Sequence, residues 1–470
     1  QPAHGVDLRG RDVLLVTIDA VRADHVGVYG YARDTTPRLD ELARRSMLFE
    51  YAYCATPHTS YSVTSMMTGK YLRPLLMQGL GESSRTWADL LRTYGYRTAG
   101  FYPPAVFFID ADRFASFRES HLGFEYRKVE FLEGEGRVSQ VISYLDSQPP
   151  ERRLFVWVHL FGPHEPYDAH PEHPFGDRDV DRYDSEIAAA DATTGRIIDE
   201  MRKRRPSAVV IVSADHGEEF GEHGGRYHGT TVYEEQVRVP LLISAPGAIE
   251  PGRVKEPVQT IDLLPTVLAG LDVPVPARGR GGDLGPLLAG TRDEGPGLAL
   301  VETDEDVLLA RGSLRLVCAR RLGACRLYDV VQDPTEQHDL LASRPREAGE
   351  LRRQLRQLSA SHGRYEARPD GSGARAWPAA LVRAMGGDGD AAADVASLLD
   401  DADTTIRRKA AEVLFELGRP ETCAALRLAL RRDEDEEVRR WCALALTRLG
   451  QGAPLTFELA RSENRRWRRR

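Results

Sequence analysis

The chain has little of what marks a disulfide scaffold, a membrane protein or a nucleic-acid binder. Five cysteines in 470 residues are too few to staple a small, loop-rich fold. No apolar run approaches the roughly 20 residues that cross a bilayer; the longest, Val13–Ile18 and Leu154–Phe161, are strand-sized. Basic residues are outnumbered, 63 Lys+Arg against 71 Asp+Glu for a net charge of -8. The counterion release that drives nucleic-acid binding therefore has no basic surface behind it. What remains is a globular composition, 41% hydrophobic, with a mean hydropathy of -0.41 that argues against disorder. A start Met and an apolar leader are also missing. An opening Gln-Pro-Ala-His is what a mature or trimmed chain shows, and the expectation is a signal or anchor removed upstream.

At this length more than one domain is expected, and three textures divide the chain. Up to about residue 274, β-rich apolar runs alternate with helical patterns, which predicts an α/β core around a mostly parallel sheet. The predicted strands are Asp12–Asp19, Tyr96–Tyr102, Leu154–Leu160, Ala208–Ser213 and Val239–Ser244. Residues 275–366 turn Gly- and Arg-rich, then give hairpin-like pieces at Val307–Ala310 and Leu314–Cys318 and a polar helix near Arg346–Leu358, a smaller α+β subdomain. Cys318 and Cys325 flank Ala-Arg-Arg-Leu-Gly-Ala in what reads as a further hairpin; pairing across it and two free thiols are equally open readings. A linker is placed at 367–385.

From 386 to 470 the chain repeats itself. Ile406-Arg-Arg-Lys-Ala-Ala-Glu-Val-Leu-Phe-Glu-Leu-Gly418 recurs as Val438-Arg-Arg-Trp-Cys-Ala-Leu-Ala-Leu-Thr-Arg-Leu-Gly450. Paired amphipathic helices at this spacing resemble HEAT-type repeats, each burying its face on the next, and imply an α-solenoid tail that docks a protein partner or orients the chain on its substrate. The closing Arg-Arg-Trp-Arg-Arg-Arg reads as the start of a further repeat. Charge is uneven: residues 371–470 carry 18 Lys+Arg against 16 Asp+Glu, and the rest 45 against 55. Acid concentrated in the α/β part suits cation binding better than polyanion binding.

In parallel α/β sheets ligands sit beyond the carboxyl ends of the strands. There the chain places Asp19 after the first predicted strand, His159 and His164 around the third, and Asp215-His216 after the fourth, with His223 and His228 following. Carboxylates plus imidazoles are a ligand set for a divalent cation of the Zn, Mn or Mg type. Singly each has a plainer role. Asp19 alone is a turn or cap, and His159, inside its strand, reads as a hydrogen-bonded core histidine. His170 and His223 read as solvent-facing. Thr59 opens a hydroxyl-rich helix ending at Thr68-Gly69. A hydroxyl there faces the positive end of the dipole and free N–H groups, which suits a nucleophile on an anionic ester; composition alone favours a simple N-cap.

Read in order, the motifs IDAVRADHVGVYGY, TTPRLDELA, the Thr59 helix, GPHEPYD, SADHGEEFGEHG, HGTTVYEEQVRVPLLISAPG, QTIDLLPTVL and LYDVVQDPTEQHDLL resemble the sulfatase branch of the alkaline phosphatase superfamily over about residues 10–345. The resemblance implies a metal-dependent hydrolase or transferase with an α/β core and a C-terminal subdomain. Three departures bear on the branch. Thr59 stands where sulfatases carry the Cys or Ser that becomes formylglycine, with Tyr61 and Val63 in place of the motif's Pro and Arg, and Cys54 is out of register. Ala20 replaces a second Asp, and His228 a Lys.

Those departures are similar to the phosphoethanolamine and phosphoglycerol transferases. That likeness implies a divalent metal (Zn, Mn, Mg or Ca) held by Asp19, Thr59, Asp215 and His216, and His164 and His228 on the substrate oxyanion or leaving group. It further implies a phosphodiester or lipid-linked phosphate ester processed through a covalent Thr59 intermediate, and work outside the cytoplasm. The alternatives are a sulfatase with an unusual hydroxyl nucleophile and a non-catalytic adaptor acting through its repeats. Specificity is expected in the loops Leu75–Thr86 and Asp168–Asp181.

Overall fold

The computed structural model describes residues 5–72, 85–108, 114–276, 279–290, 297–320, 324–362, 377–385 and 388–451. Residues 75–84 of the first specificity loop, 367–376 of the linker and the basic chain end lie outside these.

Fifteen strands are present among the described residues: β1 Val13–Ile18, β2 Met47–Phe49, β3 Ala52–Tyr53, β4 Arg97–Tyr102, β5 Tyr126–Val129, β6 Leu154–Leu160, β7 Val209–Ala214, β8 Arg238–Val239, β9 Leu241–Ser244, β10 Gly252–Val254, β11 Val258–Gln259, β12 Leu298–Glu302, β13 Asp306–Arg311, β14 Leu314–Ala319 and β15 Cys325–Asp329. Eight form one sheet in the order β10-β2-β9-β7-β1-β6-β4-β5. Its centre is parallel, β7, β1, β6 and β4 running side by side, while β9 pairs antiparallel to β7. Strands β1, β6 and β7 are buried at every position. That is why they read as continuous Val/Leu/Ile runs rather than alternating ones: both faces are covered.

Helices cover those faces: α1 Pro37–Ala43, α2 Thr59–Thr68, α3 Trp87–Thr93, α4 Gly134–Asp146, α5 Asp179–Arg204 and α6 Leu263–Gly270. The 26-residue α5 packs beside α4 and α1. All five predicted strands form, although Pro240, which has no N–H for a ladder, splits the last into β8 and β9.

Strands β12 to β15 make a separate antiparallel meander backed by α7, Pro345–His362. Cys318 and Cys325 face each other across β14 and β15 and are joined as a disulfide. Beyond it a second apolar core gathers α8 Ala379–Met385, α9 Ala392–Ser397, α10 Thr404–Leu417, α11 Cys423–Arg432 and α12 Glu436–Arg448. Thus a helix lies within the stretch read as linker, and its Leu381, Ala384 and Met385 belong to the repeat core. The repeats α10 and α12 have the same start. Asp403 caps Thr405 N at 2.8 Å, and Asp435 caps Glu437 N and Val438 N at 3.1 Å, each satisfying an orphan helix donor. No helix of the described residues is long and apolar enough to cross a membrane.

Candidate active site

The register of the parallel strands assembles the site. Thr17 on β1 lies level with His159 on β6 and Ser213 on β7, so the next residues out of the sheet leave at one edge. Asp19 follows β1, Phe161 follows β6, and Asp215-His216 follow β7. Ala20 has no side chain to offer as a ligand; its backbone takes φ 56° and turns its N–H onto Asp215 Oδ1 at 3.2 Å. Gly217 closes the loop against the chain before β8, donating to Gln236 O at 2.8 Å. A Cβ at Gly217 would stand 2.2 Å from Glu235 O, so only glycine fits.

Thr59 is the first residue of α2, whose ten residues are all buried. The helix stops at Gly69 in the left-handed region, φ 66°. One turn on from Thr59, Ser62 Oγ donates to Asp215 O at 2.6 Å, tying the helix to the ligand loop. Thr59 is therefore more than a cap: its Oγ1 lies 3.0 Å from His216 Nε2, and His58, not Thr59, holds the N-cap position. Cys54 is buried at a different place, after β3. Burial, then the charge of Asp215, pushes its thiol well up, which removes its thiolate and its nucleophilicity.

Asp19, Asp215 and His216 each bring a ligand-type atom within 4.8 Å of the others, all fully buried. His216 Nδ1 donates to Gly217 O at 2.9 Å, which fixes the tautomer and leaves Nε2 a lone pair facing the two acids. Burial, then the positive His228, holds His216 well below the usual histidine range, so it is neutral. Asp19 Oδ1 and Asp215 Oδ2 are buried and make no hydrogen bond. Burial and then the neighbouring Asp19 push Asp215 up to about 7. Burial acts on Asp19 in the same sense but is outweighed by the His159 hydrogen bond and the nearby imidazoles, which hold it low. Two orphaned carboxylate oxygens, a neutral imidazole lone pair and the Thr59 hydroxyl at one buried point fit a divalent cation.

Around this point the structure adds partners that sequence reasoning did not assign. His159 is buried, as expected of a core histidine, but it holds Asp19: Nε2 lies 3.2 Å from Oδ2, and Nδ1 lies 2.8 Å from Thr17 Oγ1. Trp157 Nε1 donates to the same Thr17 oxygen at 3.0 Å. A carboxylate only accepts, so Nε2 carries the proton.

His164 and His228, the two predicted substrate-side imidazoles, come together at 4.9 Å between ring centroids. His228 also stacks on His216 at 4.3 Å. Glu218 Oε1 lies 3.0 Å from His228 Nδ1, while its Oε2 accepts from Tyr167 OH at 2.7 Å. Burial opposes charge on His228, but Glu218 overcomes it and pushes the imidazole up to about 9, making it a cation. Glu165 Oε2 faces both, 3.3 Å from His164 Nδ1 and 3.7 Å from His228 Nδ1. His164, Glu165 and His228 thus form a second ligand-type cluster. Glu165 and Glu218 stand within the GPHEPYD and SADHGEEFGEHG motifs, which was the available signal. His223 departs from the expected solvent-facing position. It stacks on Tyr233 at 3.6 Å and bonds Glu235 at 2.6 Å, because the loop folds back onto the short helix at Glu234–Val237. His170 is partly exposed and meets Glu186 at 2.9 Å.

The family model for sulfatases matches residues 11–273, more than half of the 470-residue chain. The chain belongs to the sulfatase family. A HEAT-repeat model matches residues 375–470. Among curated relatives, an ulvan-active sulfatase of Formosa agariphila is 23% identical over 70% of this chain and 77% of its own length. YhbX of Escherichia coli, named only as a candidate transferase, is 25% identical over 49% of this chain, which spans 42% of YhbX. Human arylsulfatase A is 25% identical over 60% of this chain and 68% of its own length. Among solved structures, a phosphonate monoester hydrolase of Agrobacterium radiobacter superposes with a TM-score of 0.58 at 18% identity, covering 75% of this chain and 96% of that one. At that identity the likeness shows the fold. This sulfatase-family chain is an enzyme of the alkaline phosphatase superfamily, which sets aside the adaptor reading for its catalytic part.

Proposed function

We propose that the protein is a metal-dependent hydrolase or transferase of phosphate esters, phosphodiesters of the lipid head-group kind among them, working through a covalent intermediate on Thr59. The observation that carries this reading is the buried Thr59 hydroxyl at the ligand cluster, 3.0 Å from His216 Nε2, at a position where formylglycine cannot arise. A divalent cation held by Asp19, Asp215, His216 and Thr59 would supply Lewis acidity, lowering the pKa of the hydroxyl and neutralising non-bridging oxygens.

The chain's own groups do the rest. Helix α2 orients Thr59, whose oxygen bonds to phosphorus as the bond from phosphorus to the ester oxygen breaks, its own proton going to solvent. His228, with His164 beside it, hands a proton to the departing alcohol. Water or an acceptor hydroxyl then bonds to phosphorus, returning its proton to His228, as the bond from phosphorus to Thr59 breaks and the Thr59 oxygen takes back a proton from solvent. The Cys318–Cys325 disulfide supports work in an oxidising compartment outside the cytoplasm, and the repeats are read as a docking surface for a protein partner.

The second reading, sulfate-ester hydrolysis, is favoured by the family and by the sulfatase relatives. Intact-mass spectrometry of metal-loaded wild type and Thr59→Ala separates the two. Incubated with bis(4-nitrophenyl) phosphate, wild type alone is expected to gain an aryl-phosphoryl mass, and Thr59→Ala to lose at least about 10³-fold in turnover. Faster turnover of 4-nitrophenyl sulfate than of the diester, or an undiminished Thr59→Ala, would overturn the proposal.

A further inference from the structure

Five aromatic rings run in contact from the bottom of the site to the protein surface. His216 stacks on His228 at 4.3 Å, His228 meets His164 at 4.9 Å, His164 stacks on Phe161 at 4.5 Å with the planes 21° apart, and Phe161 meets Phe131 edge-on at 5.5 Å. Exposure grows along the series. The side chains of His216, His228 and His164 are 0%, 13% and 20% exposed, Phe161 is half-buried, and Phe131 is 63% exposed. With the transferred group held at the buried end, this ladder is a continuous line of rings from it to the surface.

The outer rungs come from sheet topology. Phe161 leaves β6 and Phe131 leaves β5, the strands that flank β4, and they meet above its end. One more exposed apolar residue leaves the same edge, Val129 at the end of β5. Exposed apolar surface concentrated beside a catalytic group marks a binding surface more than an accident of composition.

Three polar side chains of the segment that carries Phe131 hold the framework. Glu133 Oε1 accepts from Phe161 N at 3.0 Å, and Glu130 Oε1 accepts from Gln140 Nε2 at 2.6 Å. Arg137 donates to Leu132 O, Glu130 O and Gln140. Among the described residues the shelf is made mainly of ring faces, which favours hydrocarbon over a polyhydroxylated ring. We infer that Phe161 and Phe131 form a subsite for the alcohol portion of the ester, and that this portion is apolar, an alkyl chain or an aryl ring. The inference rests on the ester-processing reading of the site, but not on which ester.

Direct binding separates the two questions. Calorimetric Kd values of n-alkyl phosphates and n-alkyl sulfates with four to eight carbons are measured on the metal-loaded full chain, whether or not either is turned over. The better-bound headgroup is expected to gain about two- to fourfold in affinity per added methylene. That slope should flatten in Phe131→Ala and largely persist in Phe131→Leu. Phe131 is exposed, so its truncation leaves the core intact. A flat series in wild type, binding of neither series, or a slope unchanged by Phe131→Ala would overturn the subsite. So would glucose 1-phosphate binding more tightly than octyl phosphate through Phe131. Chain-length dependence with the sulfates alone would retain the shelf and sink the phosphate reading instead.

Discussion

His159 sits one residue short of the end of β6 and sets the direction of Asp19. Its Nε2–H points at Asp19 Oδ2 because Nδ1 is engaged with Thr17, itself engaged with Trp157. Partners of this kind orient a metal ligand, and removing them typically weakens metal affinity about 10- to 100-fold. His159→Leu keeps bulk but drops the N–H, so competition with a chelator is expected to show a loss of that size; unchanged affinity would mean that Asp19 is held without it. The strand-exit acids and His216 were legible in the sequence because a polar residue ending an apolar run is conspicuous. Glu218 was not, although its motif was. Its role depends on Tyr167, 51 positions earlier, and on burial, and neither distance nor burial is written in local composition. His223 failed for the same reason: its partner Glu235 faces it only after the loop has closed.

At the scale of elements, helix α1 lacks a cap of its own, since Thr36 makes no capping bond. The first-turn donors Arg38 N and Leu39 N instead reach Asp191 on α5, at 2.9 and 2.8 Å. A carboxylate from one helix thus terminates another, a tertiary cap that no S/T/D/N signal at the helix start discloses. Burial pushes Asp191 up to about 7 despite those two N–H groups. An unfolded chain ionises the same group near 3.9, so between about pH 4 and 7 the folded state keeps a proton that the unfolded state has lost. The contribution is complete below that window and is lost as pH rises through it. Urea midpoints of the wild type should therefore fall more steeply from pH 5 to pH 8 than those of Asp191→Asn, which keeps an acceptor but cannot titrate; parallel curves would refute the assignment. Strands show the same division. The long, fully buried runs of β1, β6 and β7 were readable, whereas two- and three-residue strands such as β3, β8 and β10 exist only because neighbours pair with them.

For the whole molecule, the repeat period was readable because Ala411/Ala443, Leu414/Leu446 and Gly418/Gly450 recur in register. Where the repeat unit begins was not: α8 carries the apolar residues of a repeat helix without a second copy of its pattern. The α/β core and the repeats bury separate sets of residues, with no side chain common to both apolar clusters. Among the described residues two ion pairs cross between them, Arg448 to Glu305 at 3.4 Å and Arg356 to Asp390 at 3.7 Å, and α7 packs on α8. Exposed ion pairs contribute about 0–1 kcal/mol each, small beside the stability of either core. Two cores that share no buried side chain are expected to melt separately. Calorimetry of the full chain should resolve two transitions, and a chain ending at His362 should retain only the larger, at nearly the same temperature and with unchanged turnover of a small soluble ester. A single transition that drops on truncation would show instead that the repeats are a structural part of the enzyme, and their role would then have to be sought in holding the meander and its disulfide rather than in a partner.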